Sequence, residues 1–278
     1  MAAGKPLLTA PEGTCDCAIH IYDSAMPITP NAPIPGPAWA DLAAYRAVQA
    51  RLGLERTIVV QPTAYGTDNR CTIAAVAGLG FANARGIAVV DTSVTDAELD
   101  RLTQAGIRGV RFQMLPGGVL PWEMLEPVAA RVANFGWHVQ LQMDGRLLDT
   151  REEMLKRLPG RLVIDHVGKF LEPVAIDHPG FKTLGRLLDA GRTWLKLTAA
   201  YEVSKVGPPL YADVGVLAKA AAKAHPERML WASNWPHVSV KDPPDDALQL
   251  DILLDWVPDA AIRDRILVDN PAEVYGFS

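Results

Sequence analysis

Residues 84–114 read ARGIAVVDTSVTDAELDRLTQAGIRGVRFQM, and this stretch indicates how the whole chain is built. It begins with a short apolar run, Ala84–Asp91, continues through an amphipathic helical pattern, Asp96–Ala105, and ends in a second apolar run, Ile107–Met114. Gly106 stands between the helical pattern and the second run, where a helix is expected to stop. Two apolar runs joined by a helix are typical of neighbouring strands in a parallel sheet.

The same alternation continues along the chain and predicts an α/β fold, a single (β/α)8 TIM barrel. Each apolar run is short, rich in β-branched or aliphatic residues, and bounded by Gly, Pro, Asn or Asp, as buried parallel strands are. Eight such strands, each followed by a helix, fit one domain spanning residues 1–278. The predicted strands are Cys15–Tyr22, Arg56–Thr63, Ala84–Asp91, Ile107–Met114, His138–Met143, Leu162–Gly168, Thr193–Ala200 and Arg228–Trp235. Further helical patterns are Trp39–Gly53, Trp122–Phe135 and Tyr211–Ala224, and Gly53, Gly136 and Gly191 stand where helices should stop.

The first predicted strand argues against the main alternative fold, a doubly wound sheet. That fold usually carries a glycine-rich phosphate-binding turn after its first strand. Here the strand ends in His20-Ile21-Tyr22, with no such turn. The proline-rich segment Pro27–Pro37 that follows is predicted to be a long first βα loop at the rim of the site.

Composition narrows the classes of function. A net charge of −5 and the lack of a long Lys/Arg run give no reason to expect nucleic acid as a partner. No stretch approaches the roughly 20 apolar residues of a membrane span, and the start of the chain lacks the apolar segment of a signal peptide. An odd number of cysteines fits reduced thiols and a cytoplasmic location. Strand alternation places Cys15 and Cys17 on the face opposite His20, which favours buried structural thiols over a metal pair.

Alternation along the predicted strands collects polar side chains on one face, near the C-terminal ends where a barrel carries its catalytic groups. On the first strand, His20 shares its face with Asp16 and Ala18. On the sixth strand, His166 shares its face with Leu162 and Ile164, and Asp165 points away. The other groups are Val59, Gln61 and Thr63; Gly109, Arg111 and Gln113; Gln140, Gln142 and Asp144; Trp194, Lys196 and Thr198; and Leu230, Ala232 and Asn234.

Each of these polar residues has a structural and a functional interpretation. Either His20 or His166 alone could be a hydrogen-bonded core residue, but their joint appearance at strand ends favours a functional site. A buried Arg111 is costly unless an anion meets it, which favours a substrate carboxylate over a structural ion pair. Lys196 could act similarly or pair with a neighbouring acid, and the glutamines could be satisfied core amides.

Taken together, these residues resemble the amidohydrolase superfamily, and in particular its lactone-processing branch. The motifs cover nearly the whole chain, and their ordered combination is more specific than any one of them. They are Asp16–His20, Gln61 with Gly66–Asn69, Arg85–Asp91, Gly109–Phe112, Gly136–Val139, Ile164–Lys169 and Trp231–His237. The resemblance implies an enzyme that acts on a small carboxylated lactone.

Three departures from the superfamily pattern bear on the chemistry. The first position of the usual His-x-His pair is Ala18, a position that often holds histidine is Gln142, and the eighth-strand aspartate is Asn234. A divalent cation needs several His or carboxylate ligands, so we expect no metal and no other cofactor. Asn234 is uncharged and has no useful basicity near neutral pH, so it cannot deprotonate water.

The resemblance and its departures favour a metal-independent isomerase of carbohydrate acid metabolism that converts an aldaric 1,5-lactone to its 1,4-isomer. The substrate's own hydroxyl attacks the lactone carbonyl, and such intramolecular attack has a high effective concentration. We expect His20 or His166 to shuttle the proton and Asn234 to donate to the carbonyl oxygen. Arg111 would hold the free carboxylate. Further expected substrate-binding residues are Gln61, Tyr65, Asn69, Gln142, Lys169, Lys196, Tyr201 and His237, the last of them orienting its loop.

Three alternatives stay open at this stage. One is a lactonase that hydrolyses a pyrone dicarboxylate or a sugar lactone, with His166 as the base. A second is a metal-dependent amidohydrolase or decarboxylase, which the lost ligands argue against. The third is a barrel that has lost catalysis and only binds a carboxylated ligand. The sequence specifies neither the lactone and its stereochemistry nor an oligomeric state.

Overall fold

Eight parallel strands surrounded by helices form a barrel in a computed structural model that describes residues 4–30, 32 and 34–277. The strands follow one another around the barrel in chain order, each paired in parallel with the next. They are β1 Cys15–Ile19, β2 Arg56–Val60, β3 Ala84–Ala88, β4 Ile107–Gln113, β5 His138–Gln142, β6 Leu162–Ile164, β7 Thr193–Leu197 and β8 Met229–Trp231.

Ten α-helices lie around the strands within the described part of the chain. They are α1 Leu42–Leu52, α2 Arg70–Leu79, α3 Asp96–Gln104, α4 Leu125–Ala133, α5 Glu152–Arg157, α6 Pro179–Asp189, α7 Ala212–Ala224, α8 Asp246–Trp256, α9 Ala260–Asp264 and α10 Asn270–Tyr275. Short 3₁₀ helices span Thr63–Tyr65, Trp122–Met124, Gly145–Arg151, His166–Gly168, Ala200–Glu202 and Pro226–Arg228, and a π-helical turn spans Arg265–Asp269. No helix within the described residues is long and apolar enough to cross a membrane.

The predicted barrel is confirmed, and so is the existence of every predicted strand and helix. α3 begins where the Thr95 hydroxyl accepts a hydrogen bond from Glu98 N at 3.2 Å, and α1 ends at Gly53 in the left-handed region, with φ of 71°. Each strand ends one to four residues before its predicted limit. The chain leaves the sheet there and turns into the loops and 3₁₀ helices that carry the site.

Backbone hydrogen bonds between β8 and β1 close the barrel. His20 N donates to Trp235 O at 2.9 Å, and Asn234 N donates to Ala18 O at 3.0 Å. Ile19 and Trp235 form the corresponding parallel bridge. The seam of the barrel therefore places the candidate residues His20 and Asn234 beside one another.

A bulge in β1 changes the face on which its first residues lie. β1 has one residue more than β2 between Asp16 and Ile19. Asp16 consequently faces outward, where its carboxylate accepts from Ser233 N at 2.9 Å, while Cys15 and Cys17 pack inside the barrel with Ala18. The prediction that both cysteines point away from the face of His20 was wrong for this reason. They are buried free thiols, as expected.

The predicted faces are right for β4, β5, β7 and β8 and wrong for β2 and β6. On β2, Val59 packs outward and Ile58 and Val60 fill the interior. Both faces of this strand are apolar, so alternation could not show which one points inward. On β6, Val163 lies inside the barrel and Leu162 packs in the outer layer against the helices.

The lower half of the barrel is filled by apolar side chains and by His138, the first residue of β5. The His138 ring lies against Tyr275, with ring centroids 5.4 Å apart. A Cβ added at Gly109 would come within 2.7 Å of the same ring, so glycine makes room for it. Burial, with the charges of Lys196 and Arg161, lowers the pKa of His138 to about 3.

The buried His138 predicts that the protein loses stability in acid. Because His138 stays neutral in the native state and titrates near 6.5 when unfolded, the native state binds fewer protons between pH 6.5 and 3. The unfolding free energy should therefore fall as pH falls through that window, by about 1.4 kcal/mol per pH unit for each such histidine. Urea unfolding at several pH values between 6.5 and 4 gives the pH dependence of the unfolding free energy. The slope of that dependence on pH should be shallower by about one proton in His138→Gln than in the wild type. Equal slopes would contradict this assignment.

Candidate active site

A pocket of about 240 Å³ opens at the carboxyl ends of the strands, the end at which barrel enzymes carry their catalytic groups. It lies just below the range of about 300–1,000 Å³ typical of sites for drug-sized ligands, so it fits a small molecule. Six predicted site residues line it: His20, Arg111, Gln142, His166, Lys169 and Asn234. The other polar residues of its wall are Tyr22, Thr63, Gln113, Glu202 and Ser239. The described part of the segment after β1 contributes Ile34 to the wall, while Asn31 and Pro33 lie outside the described residues.

Three predicted substrate-binding residues lie behind the wall of the pocket, where they fix the loop after β2. The Gln61 Oε1 atom accepts from the Thr72 hydroxyl at 2.5 Å, so its side chain points towards α2. The Asn69 amide exchanges two hydrogen bonds with the backbone of Val89, both at 2.9 Å. The Tyr65 hydroxyl bonds to the backbone of the first loop. These contacts position the loop and leave the residues without direct access to a ligand.

Lys196 lies inside the barrel beneath the pocket and is completely buried. Its Nζ atom donates to Gln140 Oε1 at 2.8 Å and lies 3.2 Å from Asp165 Oδ1. Gln140 Nε2 in turn donates to Asp165 Oδ2 at 2.9 Å. Of the two roles considered for Lys196, the geometry therefore supports pairing with an acid, in a polar layer that forms the floor of the site.

The two pocket histidines are held in the neutral state. His20 Nδ1 lies 2.8 Å from Val60 O, and because a carbonyl only accepts, Nδ1 carries the proton and Nε2 is the acceptor of the ring. Burial, reinforced by the charge of Arg111, lowers the pKa of His20 to about 3. His166 reaches the pocket because its backbone is left-handed, with φ of 57°. Burial, and then the charge of Lys169, holds its pKa well below the usual value.

Arg111 is a buried cation whose hydrogen-bond partners among the described residues are neutral. Its Nη1 atom donates to Gln61 O at 2.8 Å and its Nη2 atom to Gln142 Oε1 at 3.2 Å, while Nε has no partner in that part of the chain. Its side chain is only 9% exposed, and it forms no salt bridge to any carboxylate of the described residues. A buried guanidinium without a counter-ion is costly, so this wall of the pocket is suited to an anionic ligand.

The Asn234 amide faces a carboxylate. Its Nδ2 atom donates to Glu202 Oε1 at 3.3 Å and to the Tyr201 hydroxyl oxygen at 2.8 Å. An ionised carboxylate only accepts hydrogen bonds, so the amino group and not the carbonyl of the amide must point to Glu202. Both amide hydrogens are thus engaged within the protein. Asn234 offers a ligand its carbonyl oxygen, which replaces the expected role as a donor to the substrate carbonyl.

A chain of polar contacts behind Asn234 fixes this orientation. The Tyr201 hydroxyl lies 2.9 Å from His237 Nδ1, and His237 Nε2 lies 2.8 Å from Asp246 Oδ1. Asp246 also pairs with Arg51 of α1, with a distance of 3.1 Å between Nη2 and Oδ2. Tyr201 and His237 therefore position Asn234 and do not line the pocket, in line with the predicted orienting role of His237.

Glu202 is the site residue that the sequence reasoning missed. It lies at the end of the 3₁₀ helix Ala200–Glu202, with its side chain 8% exposed. Its Oε1 atom accepts from Asn234 and from the Ser239 hydroxyl, and its Oε2 atom pairs with Lys169 Nζ. The sequence feature that could have identified Glu202 is its position as a carboxylate two residues after the predicted end of the seventh strand. This residue gives the pocket a carboxylate, although the eighth-strand position holds Asn234.

The donor set does not fit a divalent metal. Within residues 4–30, 32 and 34–277, no three His, Cys, Asp or Glu side chains are grouped so that they could hold an ion. His20 Nδ1 is engaged by a backbone carbonyl, and the Glu202 carboxylate by Lys169. The positive charges of Lys169, Lys196 and Arg111 all act on the remaining histidine, His166, which is an environment that repels a metal ion.

The fold and the pocket define a β/α-barrel protein with a small polar site above its strands, and comparison with known proteins identifies the family. The amidohydrolase family model matches residues 15–277, and the chain belongs to that family. It is 36% identical over 272 residues to the D-galactarolactone isomerase of Agrobacterium fabrum, covering 96% of this chain and 92% of that one. It is 33% identical over 284 residues to the 2-pyrone-4,6-dicarboxylate hydrolase of Comamonas testosteroni, covering 98% and 92%. An apo crystal structure of an Agrobacterium tumefaciens protein, 36% identical, superposes with a TM-score of 0.94 and covers 99% of this chain and 98% of the other.

Replacing Asn234 by aspartate tests the orientation of the amide. The Asn234→Asp variant would place a second carboxylate beside Glu202, which raises the pKa of the pair and removes a donor. A raised native pKa means that stability is lost as pH rises, so the variant should lose about 1–3 kcal/mol of unfolding free energy at pH 8 and less at pH 5. Urea unfolding at both pH values measures the loss. The control is Asn83→Asp at an exposed turn, which should change stability by less than about 0.5 kcal/mol. An unfolding free energy of Asn234→Asp equal to that of the wild type at pH 8 would contradict this orientation of the Asn234 amide.

Proposed function

We propose that this protein is a metal-independent isomerase of carboxylated lactones, which converts an aldaric 1,5-lactone to the 1,4-lactone. The observation that carries the proposal is the unpaired guanidinium of Arg111, which calls for a carboxylate on the ligand. Identity of 36% with D-galactarolactone isomerase, over 96% of this chain, supports the reaction. The buried free thiols fit a reducing compartment such as the cytoplasm.

The proposed reaction needs no water and no external nucleophile. A hydroxyl of the substrate forms a bond to the lactone carbonyl carbon, and the bond from that carbon to the original ring oxygen breaks. One proton leaves the attacking oxygen and one arrives on the departing oxygen, so substrate and product have the same composition. The protein has to hold the substrate folded for attack and to move that proton.

The pocket supplies the required positioning groups. Arg111 can bind the free carboxylate by two N–H groups, which fixes the far end of the substrate. The acceptor nitrogen of His20 and the carbonyl oxygen of Asn234 can accept hydrogen bonds from sugar hydroxyls. The Lys169 ammonium at the same wall favours the negative charge that develops on the carbonyl oxygen.

Hydrolysis of a carboxylated lactone is the second candidate function. The observation that favours it is Glu202, because a carboxylate in the pocket could accept a proton from water. Identity of 33% with 2-pyrone-4,6-dicarboxylate hydrolase also supports it. Proton NMR of purified protein with a panel of aldaric and aldonic lactones separates the two. Isomerisation predicts that the 1,4-lactone forms before open acid, and hydrolysis predicts open acid as the first product.

Metal independence is part of the proposal and has its own test. Because the pocket provides no set of metal ligands, exhaustive chelation followed by gel filtration should leave at least about nine-tenths of the lactone-converting activity. The activity is measured by the same NMR assay before and after addition of Zn²⁺. Loss of activity that Zn²⁺ restores would contradict the claim.

The role of Arg111 predicts a selective loss of affinity. Arg111→Gln should raise KM for a carboxylated lactone by about 30- to 1,000-fold, as expected when a charge-assisted pair worth about 2–4 kcal/mol is lost. The effect should shrink to a few-fold for a lactone whose carboxylate is blocked as an amide. The matched control is Arg108→Gln on the same strand, because Arg108 bonds to backbone carbonyls outside the pocket. An equal rise in KM for both substrates would show that Arg111 does not bind the substrate carboxylate.

A further inference from the structure

We propose that Lys169 and Glu202 together form the proton-transfer couple of this site, an assignment that rests on the proposed function. Lys169 Nζ and Glu202 Oε2 form an ion pair, and each side chain is only 8% exposed. Both side chains line the pocket. They come from separate turns, one following β6 and the other following β7, so the fold brings them together only at the mouth of the barrel.

The backbone that presents Lys169 is conformationally costly. His166, Val167 and Lys169 all have positive φ, at 57°, 52° and 50°. Such conformations are uncommon for residues other than glycine, and they are rarest for β-branched residues such as Val167. The surrounding structure sustains this turn at a point where it delivers two side chains, His166 and Lys169, into one pocket.

The carboxylate of the pair is equally fixed. Asn234 and Ser239 both donate to Glu202 Oε1, which leaves Oε2 for Lys169. The arrangement also accounts for asparagine just after β8, because an aspartate there would face Glu202 with like charge. The amide after β8 and the carboxylate after β7 therefore form a matched set. An ordinary surface pair of this protein, Lys205 with Glu172, has side chains 58% and 60% exposed and no such contacts.

The other polar groups of the wall are poor proton carriers at neutral pH. His20 and His166 are neutral with strongly lowered pKa values, and Arg111 stays protonated. Burial lowers the pKa of Lys169 towards neutral pH, the nearby carboxylate of Asp165 and the contacting carboxylate of Glu202 oppose this shift, and the charge of Arg111 adds to it. A group that titrates close to the working pH can both donate and accept a proton efficiently.

The couple can complete the isomerisation without water. The Glu202 carboxylate takes the proton of the attacking hydroxyl as its oxygen bonds to the carbonyl carbon, whose π electrons move to the carbonyl oxygen. When these electrons form the carbonyl double bond again, the bond from the carbonyl carbon to the ring oxygen breaks. The departing ring oxygen then takes a proton from the Lys169 ammonium. The resulting carboxylic acid and amine are in contact, and one proton transfer between them restores the ion pair. One proton is taken up and one is released.

Two variants separate proton transfer from positioning, with the NMR assay of ring interconversion as the readout. Glu202→Gln keeps size and polarity but cannot take a proton, so kcat should fall by at least about 100-fold while KM changes only a few-fold. Lys169→Arg keeps the positive charge opposite Glu202 but does not release a proton, so kcat should fall similarly. Wild-type kcat should decline at alkaline pH as Lys169 loses its proton, and this decline should be absent from the residual activity of Lys169→Arg.

Matched controls complete the experiment, and the melting temperature of each variant shows whether it is folded. Glu172→Gln and Lys205→Arg alter the exposed pair and should leave kcat within about twofold. If Glu202→Gln does not fold, the kcat of Lys169→Arg and its dependence on pH test the proposed couple. A wild-type kcat in folded Glu202→Gln, or in Lys169→Arg, would overturn the couple while leaving the isomerase intact. A wild-type protein that interconverts no lactone would overturn the proposed function, and this assignment with it.

Discussion

The hydrogen bond from the Asn234 amide to the Glu202 carboxylate is the contact on which the chemistry of this pocket depends. It fixes which end of the amide faces the ligand, because a carboxylate accepts and cannot donate. It also holds one oxygen of Glu202, so that the other meets Lys169. Tyr201 and His237, with Asp246 behind them, hold the amide from the opposite side. The pocket thus has a carboxylate, but on the turn after β7 and not on β8.

The balance of charge explains why the site suits an anionic ligand. Three cations lie in or beneath the pocket, Arg111, Lys169 and Lys196, and both histidines are neutral. Two carboxylates compensate them, Glu202 in the wall and Asp165 in the floor. One positive charge is left unmatched among these groups, and it lies on Arg111, whose partners are neutral oxygens. In a buried site such a charge is strongly stabilised by a carboxylate, so the free acid group of the proposed substrate completes the pocket.

Sequence patterns predicted the barrel, its elements and half of the named site residues, because apolar periodicity and glycine positions are local signals. Alternation also gave the inward faces of β4 and β5, where one face is polar and the other apolar. It failed on β1, where a bulge adds a residue, and on β2, where both faces are apolar. His166 reached the pocket for a reason that alternation does not encode, a left-handed turn after β6. Glu202 was missed because it lies in the 3₁₀ helix after β7, where strand alternation no longer indicates which side chains face the pocket.

The partners of Gln61 and Asn69 show a further limit of sequence reasoning. Both were predicted to bind substrate, and both use their amides to hold the loop that shapes the wall. A polar residue at a strand end can bind a ligand or position the residues that do, and only the three-dimensional partners separate the two roles. The same distinction applies to Tyr201 and His237, which act on the ligand through Asn234.

Incorporation of solvent oxygen tests the central claim most directly, that this pocket rearranges a molecule carrying its own nucleophile. A carboxylated 1,5-lactone is incubated with the protein in H₂¹⁸O, and the first-formed product is analysed by mass spectrometry. The account predicts a 1,4-lactone with the mass of the starting material and no ¹⁸O. Enzyme-dependent appearance of ¹⁸O in an open acid before any 1,4-lactone forms would contradict it.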